Sequence, residues 1–227
     1  MKKSEISKFC IVGIILLVCF ACVAFLVESG MTEQIDRGII RAIYEFRGSH
    51  SDLQGVFYWV NRILTEMGYV YVLVPLALLV LLLCKGDVKS CGLGFGTLLT
   101  WLINKGVKLI FYRQRPDLIY HMMEESSTSF PSGHAMTSAF FYFFLAYLLS
   151  RTKLNKGVKG VLMAVCAVMP FIVAITRINL SVHYPTDVLG GLCFGGAIAC
   201  FVAVLVEFVY DKGFDGLKTF FNKGAKK

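Results

Sequence analysis

Residues 176–191 read T-R-I-N-L-S-V-H-Y-P-T-D-V-L-G-G and set Arg177, His183 and Asp187 between two strongly apolar segments. Ionisable groups placed this close to lipid are costly and mark chemistry more often than packing. His183 and Asp187 lie four residues apart, and Pro185 suits a first helical turn, which puts His183 at the lip of a helix. A carboxylate on one imidazole nitrogen fixes the tautomer and makes the other nitrogen the better nucleophile. The chemistry this trio suits is attack on phosphorus by His183, with Asp187 orienting the ring and Arg177 holding the phosphate.

Two further groups carry chemistry upstream. Lys108 and Arg115 are seven residues apart, two helical turns, so both are expected on one side at the end of an apolar run, where Pro116 limits further helix. Alone, the pair reads equally well as a Lys and an Arg snorkelling to a membrane surface. Pro131-Ser132-Gly133-His134 opens the next apolar run. Ser132 is expected to cap that helix, Gly133 to let an anion approach the backbone, and the free amides to cradle phosphate. His134 in the first turn can donate a proton to a group bound there. Taken alone, these four residues are also an ordinary capped helix with an interfacial histidine.

The elements that must position these groups are membrane spans. Of 227 residues 56% are hydrophobic and 17% charged, with mean hydropathy +0.67; soluble domains hold about 45–50% apolar residues. Six spans are expected, at 9–27, 69–84, 91–112, 131–150, 161–175 and 188–210. The first is longer than the roughly 7–15 apolar residues of a signal peptide and has no A-x-A site after it, so it reads as retained. Between spans one and two, Ile35, Ile39, Ile40, Ile43 and Phe46 recur at helical spacing. Leu53, Val56, Phe57, Val60, Ile63 and Leu64 do the same after a break at Gly48-Ser49, giving two amphipathic helices. The expected fold class is an all-α polytopic membrane protein, one domain over 1–227 with its motifs in about 91–204.

The net charge is +8. With six spans and an inward N-terminus, 14 of the 23 Lys and Arg fall on the inner side and 9 on the outer. The positive-inside rule then places both termini in the cytoplasm and all three motif groups on the outer face. Basic residues spread over short loops in this way control topology and do not suit a nucleic-acid partner. The eight cysteines lie in apolar spans or at their inner ends and act as small hydrophobes. No CxxC or Cys/His cluster is present, so no metal or other cofactor is expected.

The pattern Lys108-(x6)-Arg115-Pro116, Pro131-Ser132-Gly133-His134 and Arg177-(x5)-His183-(x3)-Asp187 resembles the type 2 phosphatidic acid phosphatase superfamily, over roughly 91–204. Thr176 stands where that family commonly has Ser. The resemblance implies that His183 attacks phosphorus in line to give a phosphohistidine and that Asp187 orients it. His134 would protonate the leaving oxygen and then help activate water. Lys108, Arg115 and Arg177 would hold the non-bridging oxygens with Ser132 and Gly133, and no metal is needed. Three fixed cations can supply the electrostatic stabilisation that Mg²⁺ gives other phosphoryl-transfer sites.

The substrate implied is a phosphorylated lipid at the outer face of the cell membrane, with undecaprenyl diphosphate first and phosphatidylglycerophosphate and phosphatidic acid next. The alternative is an anion or lipid-phosphate carrier that uses the same cations; the two histidines, one with its Asp, speak against it, because transport needs charge but no nucleophile. Oligomeric state and the roles of Glu124 and Glu125 stay open.

Overall fold

A computed structural model describes residues 3–84 and 87–211, and among these the chain is helical with no strand. The helices are α1 (Lys3–Glu28), α2 (Glu33–Ser49), α3 (Gln54–Glu66), α4 (Val70–Leu83), α5 (Val88–Lys108), α6 (Gly133–Ser150), α7 (Lys156–Asn179) and α8 (Pro185–Asp211). Lys2, Lys85 and the basic residues of 212–227, which enter the charge count above, lie outside the described residues.

Helices α1, α7 and α8 are long and apolar enough to cross a membrane, so this is a helical membrane protein. A fourth crossing results if Ser51–Glu66 and Val70–Leu83 are taken as one span bent by 46°. The sequence suggests a second span over 69–84; among the described residues, that stretch meets the length for a crossing only together with the helical segment before it. Helix α4 has 14 residues, about 21 Å at 1.5 Å per residue, which is short of a hydrocarbon core of about 30 Å. The chain before it turns at an extended Tyr69, with φ −76° and ψ 138°.

Helix α8 packs against α1, α5 and α6. Its Gly191 and Gly195 fix how close α6 comes: a Cβ on Gly191 would lie 2.7 Å from the Ser132 carbonyl oxygen, and one on Gly195 would collide with the Met136 carbonyl. Small residues at this spacing are what let helix backbones approach in a bilayer. Met136, Phe140, Phe144, Leu93 and Ala203 are fully buried around this seam. Outside, α1 exposes Ile11, Ile14, Ile15 and Val18, and α7 exposes Val161, Val165, Val168 and Phe171, the surface a lipid environment covers.

Helices α2 and α3 are amphipathic but turned opposite to the soluble case. Helix α2 buries Asp36, Ile40 and Arg47 while exposing Ile35, Ile39 and Phe46; α3 buries Asn61 and Thr65 while exposing Val56, Val60 and Ile63. Their polar faces find partners inside. Arg47 donates to the carbonyls of Asn179 (3.1 Å) and Tyr120 (2.7 Å), and Asn179 donates to Asn61 Oδ1 at 3.0 Å. Both helices are thereby tied to the C-terminal end of α7.

At the other end of the bundle, buried Glu207 of α8 accepts Lys89 Nζ from α5 on both oxygens at 3.1 Å and the Tyr147 hydroxyl from α6 at 2.7 Å. None of the eight cysteines is in a disulfide.

Candidate active site

The three motif groups meet at the C-terminal ends of α5 and α7 and the N-terminal ends of α6 and α8. Helix α5 stops at Lys108, so Arg115 is not carried on a helix as its spacing suggests. Pro116 pushes the residue before it out of helical geometry, and the chain from 111 runs without helix until Leu118. Lys108 and Arg115 still converge, because both satisfy carbonyls of the loop before α6. Lys108 Nζ donates to the Thr128 carbonyl and lies 3.5 Å from that of Ser129; Arg115 donates through Nε to the Ser127 carbonyl at 2.6 Å and through Nη2 to Ser127 Oγ at 3.1 Å. Loop carbonyls without a ladder partner need such donors when buried.

Ser132 occupies the N-cap position of α6 but makes no capping bond with its side chain, contrary to the sequence expectation. Its backbone N–H is taken by the Asp187 carbonyl at 3.0 Å, which fixes the turn without the hydroxyl. Gly133 has a second use: a Cβ there would stand 2.9 Å from Asn104 Oδ1. Asn104, one turn before Lys108, donates to the Pro131 carbonyl at 3.2 Å and holds a turn whose Phe130–Pro131 peptide is cis. Thr176 donates back to the Val173 carbonyl at 2.7 Å, so its hydroxyl serves the helix.

His183 sits just before α8, which begins at Pro185, and is 2% exposed. Arg115 Nη1 lies 3.2 Å from its Nε2. Arginine only donates, so Nε2 carries the lone pair and Nδ1 the proton in this arrangement. Nδ1 faces Asp187 Oδ2 at 3.5 Å, a long contact. That oxygen already accepts from Ser129 Oγ at 2.5 Å and from the Tyr184 N–H at 2.8 Å. Catalytic hydrogen bonds are often long before a ligand binds. Burial, reinforced by Arg115, Lys108 and Arg177, holds His183 well below the ordinary imidazole range, which keeps its ring neutral at neutral pH.

Arg177 is fully buried on α7. Nη1 donates to Thr65 Oγ1 at 3.1 Å, and Nη2 is ion-paired with Glu125. Glu125 also lies 3.7 Å from Arg115, so one loop carboxylate bridges two of the three expected phosphate-holding residues. Lys108, Arg115, Glu125, Gly133, His134 and His183 share the walls of a cavity of about 150 Å³, with Tyr69 and Trp101 at its side. Ser132, Arg177 and Asp187 are not among its lining residues. Three polar atoms of the expected residues are buried with no hydrogen-bond partner among the described residues: Ser132 Oγ, His134 Nε2 and Arg177 Nε.

Sequence reasoning missed Asn104, Ser129 and Arg113 as members of this site. Asn104 had a signal, lying four residues before Lys108 and so on its helical face. Ser129 and Arg113 sit in irregular chain, where spacing says nothing about direction. Glu125 was left open and is now placed between the arginines.

A membrane-embedded bundle with cations, two histidines and a carboxylate gathered at one end defines a class of phosphate-handling membrane proteins, and comparison with known proteins makes this specific. Residues 89–211 match the PAP2 superfamily, against 91–204 expected from the motifs; the chain belongs to that superfamily. It is 40% identical over 116 residues, half of this chain, to phosphatidylglycerophosphatase B of Bacillus subtilis. A 77-residue segment, 34% of the chain, is 35% identical to lipid A 1-phosphatase of Rhizobium etli. The chain spans about half the length of the first of these curated relatives (52%) and less than a third of the second (29%). The crystal structure of a transmembrane PAP2 type phosphatidylglycerolphosphate phosphatase from Bacillus subtilis superposes with a TM-score of 0.77 at 28% identity, covering 87% of this chain and 96% of that one.

Proposed function

We propose that the protein is a lipid phosphatase that works without a metal and through a phosphohistidine. The observation that carries this is the convergence of Lys108, Arg115, His134 and His183 on one cavity, with His183 held between Arg115 on Nε2 and Asp187 on Nδ1. In the reaction, the Nε2 lone pair attacks phosphorus while the bond to the lipid oxygen breaks. His134 gives that oxygen its proton, and Asp187 stabilises the charge left on the His183 ring. His134 then takes a proton from water, whose oxygen attacks the phosphohistidine and frees His183 and phosphate. Lys108, Arg115 and Arg177 hold the non-bridging oxygens, with the Ser132 hydroxyl and the Gly133 backbone N–H completing the cradle.

The substrate is a phosphorylated lipid. The B. subtilis relatives, named for phosphatidylglycerophosphate, support that lipid first, ahead of the undecaprenyl diphosphate that the sequence alone favours. One domain over 1–227, six spans including α5 and α6, cytoplasmic termini and an outward-facing site complete the reading; the excess of basic residues in the segments assigned inward supports that orientation. The test is phosphate release by purified protein from phosphatidylglycerophosphate, undecaprenyl diphosphate, phosphatidic acid and a soluble aryl phosphate. Release from none of the four would return the chain to the carrier reading.

A further inference from the structure

The Asp187 carboxylate is held from two sides, and one of them lies outside the motifs. Its Oδ2 faces His183, Ser129 and the Tyr184 N–H. Its Oδ1 accepts Arg113 Nη1 at 2.6 Å. Arg113 is fixed in turn from α2, where Nη2 donates to Asp36 Oδ2 at 2.6 Å. Thr186, the residue before Asp187, donates through its hydroxyl to Asp36 Oδ2 at 2.6 Å and through its N–H to Oδ1 at 3.3 Å. Asp36 is 1% exposed and Asp187 fully buried, and the Arg113 guanidinium lies 4.4 Å over the Tyr184 ring.

Burying two carboxylates on one guanidinium is a costly way to join helices, since apolar packing of similar volume is often as stable or more so. What the arrangement supplies is orientation. The guanidinium fork is planar and rigid, so it sets which carboxylate oxygen Asp187 turns toward His183. With Oδ1 released, only Ser129 Oγ and the Tyr184 N–H on Oδ2 oppose a rotation about χ2 that carries Oδ2 off the Nδ1 proton.

We propose that Asp36 and Arg113 are positioning residues for the reaction: α2, which lies outside the family-matched segment 89–211, places a carboxylate on Arg113 and so fixes the face of Asp187 that His183 meets. This rests on the phosphatase reading above.

The test uses full-length protein carrying ¹⁵N-labelled histidine, of which the chain has four, with His183→Ala to assign the resonance. In the wild type His183 is expected as the Nδ1–H tautomer. Asp36→Asn and Arg113→Gln leave Arg115 on Nε2, so the tautomer is expected to stay. The Nδ1–H resonance is expected to shift upfield as its contact with Asp187 is lost, and kcat to fall about 10–100-fold, the scale for groups that orient a histidine from behind. KM and orthovanadate inhibition should stay within about twofold, and Arg113→Lys should recover part of kcat. An unchanged Nδ1–H resonance and kcat in Asp36→Asn and Arg113→Gln would overturn the proposal. So would a kcat loss matched by lost vanadate binding and a lowered Tm, which is plain structural damage. A wild type that releases no phosphate sinks the phosphatase reading instead, and the Nδ1–H resonances still decide the positioning of Asp187.

Discussion

Glu125 is ion-paired with Arg177 from a loop, and the same carboxylate lies 3.7 Å from Arg115. On the function proposed above, a substrate phosphate uses those same donors. Glu125→Gln therefore removes a competing anion and is expected to tighten inhibition by inorganic phosphate or vanadate about fivefold, roughly 1 kcal/mol. Weaker inhibition would instead mean that Glu125 aligns the two arginines for binding.

His183→Ala is expected to abolish phosphate release and the covalent phosphoenzyme together. His134→Ala should lose about 10²–10⁴ in rate, the usual worth of a general acid. That loss should shrink with an aryl phosphate, whose leaving oxygen needs no proton. Turnover surviving in His183→Ala membranes would remove the nucleophile assignment.

The pH profile follows from the surroundings of His183. Burial and its cationic neighbours lower its pKa well below the ordinary value, so the neutral ring persists as pH falls through 6.5. Corrected for ionisation of the substrate, kcat/KM should not fall as pH drops from 7 to 6; any rise over that range belongs to the acid, His134. An acid-side fall centred near about 6.5, the unperturbed histidine value, would contradict this environment.

Activity should be retained in excess EDTA if, as proposed, Lys108, Arg115 and Arg177 supply the charge stabilisation. Loss in EDTA with recovery on adding one divalent ion would refute the metal-free route.

Gly195→Val tests the α6–α8 seam apart from the chemistry. The added side chain meets the Met136 carbonyl, and overpacking of this kind typically costs about 1–3 kcal/mol. A lowered Tm in detergent is expected; an unchanged Tm would mean the helices separate easily there.

Much of this was legible in the sequence because it was local. Apolar run length located the helices, and Pro185 and Pro131 marked where α8 and α6 open. Motif order brought Lys108, Arg115, His134 and His183 to one cavity. What was not legible depended on chain direction outside helices. Arg115 reaches His183 from irregular chain, so helical spacing misjudged its support while pairing it correctly with Lys108. Ser132 looks like a capping residue, yet Asp187 takes over the turn across 55 residues of sequence, a contact no local pattern encodes. Asp36 reads as one more charge on an amphipathic helix; only the inward turn of the polar face of α2 shows what it meets.

The loop over residues 122–129 joins the helices through polar contacts: Met122 N–H to the Leu180 carbonyl, the Ser127–Ser129 carbonyls to Lys108 and Arg115, Ser129 to Asp187, and Glu125 to Arg177. It is latched where the helices beneath it are packed. Releasing such a latch would exchange buried polar contacts for water, and because Arg177 is fully buried while the Arg115 and Glu125 side chains are only 9% and 18% exposed, salt screens its charge contacts little. The loop is thus held to the bundle by contacts that ionic strength alone does not loosen.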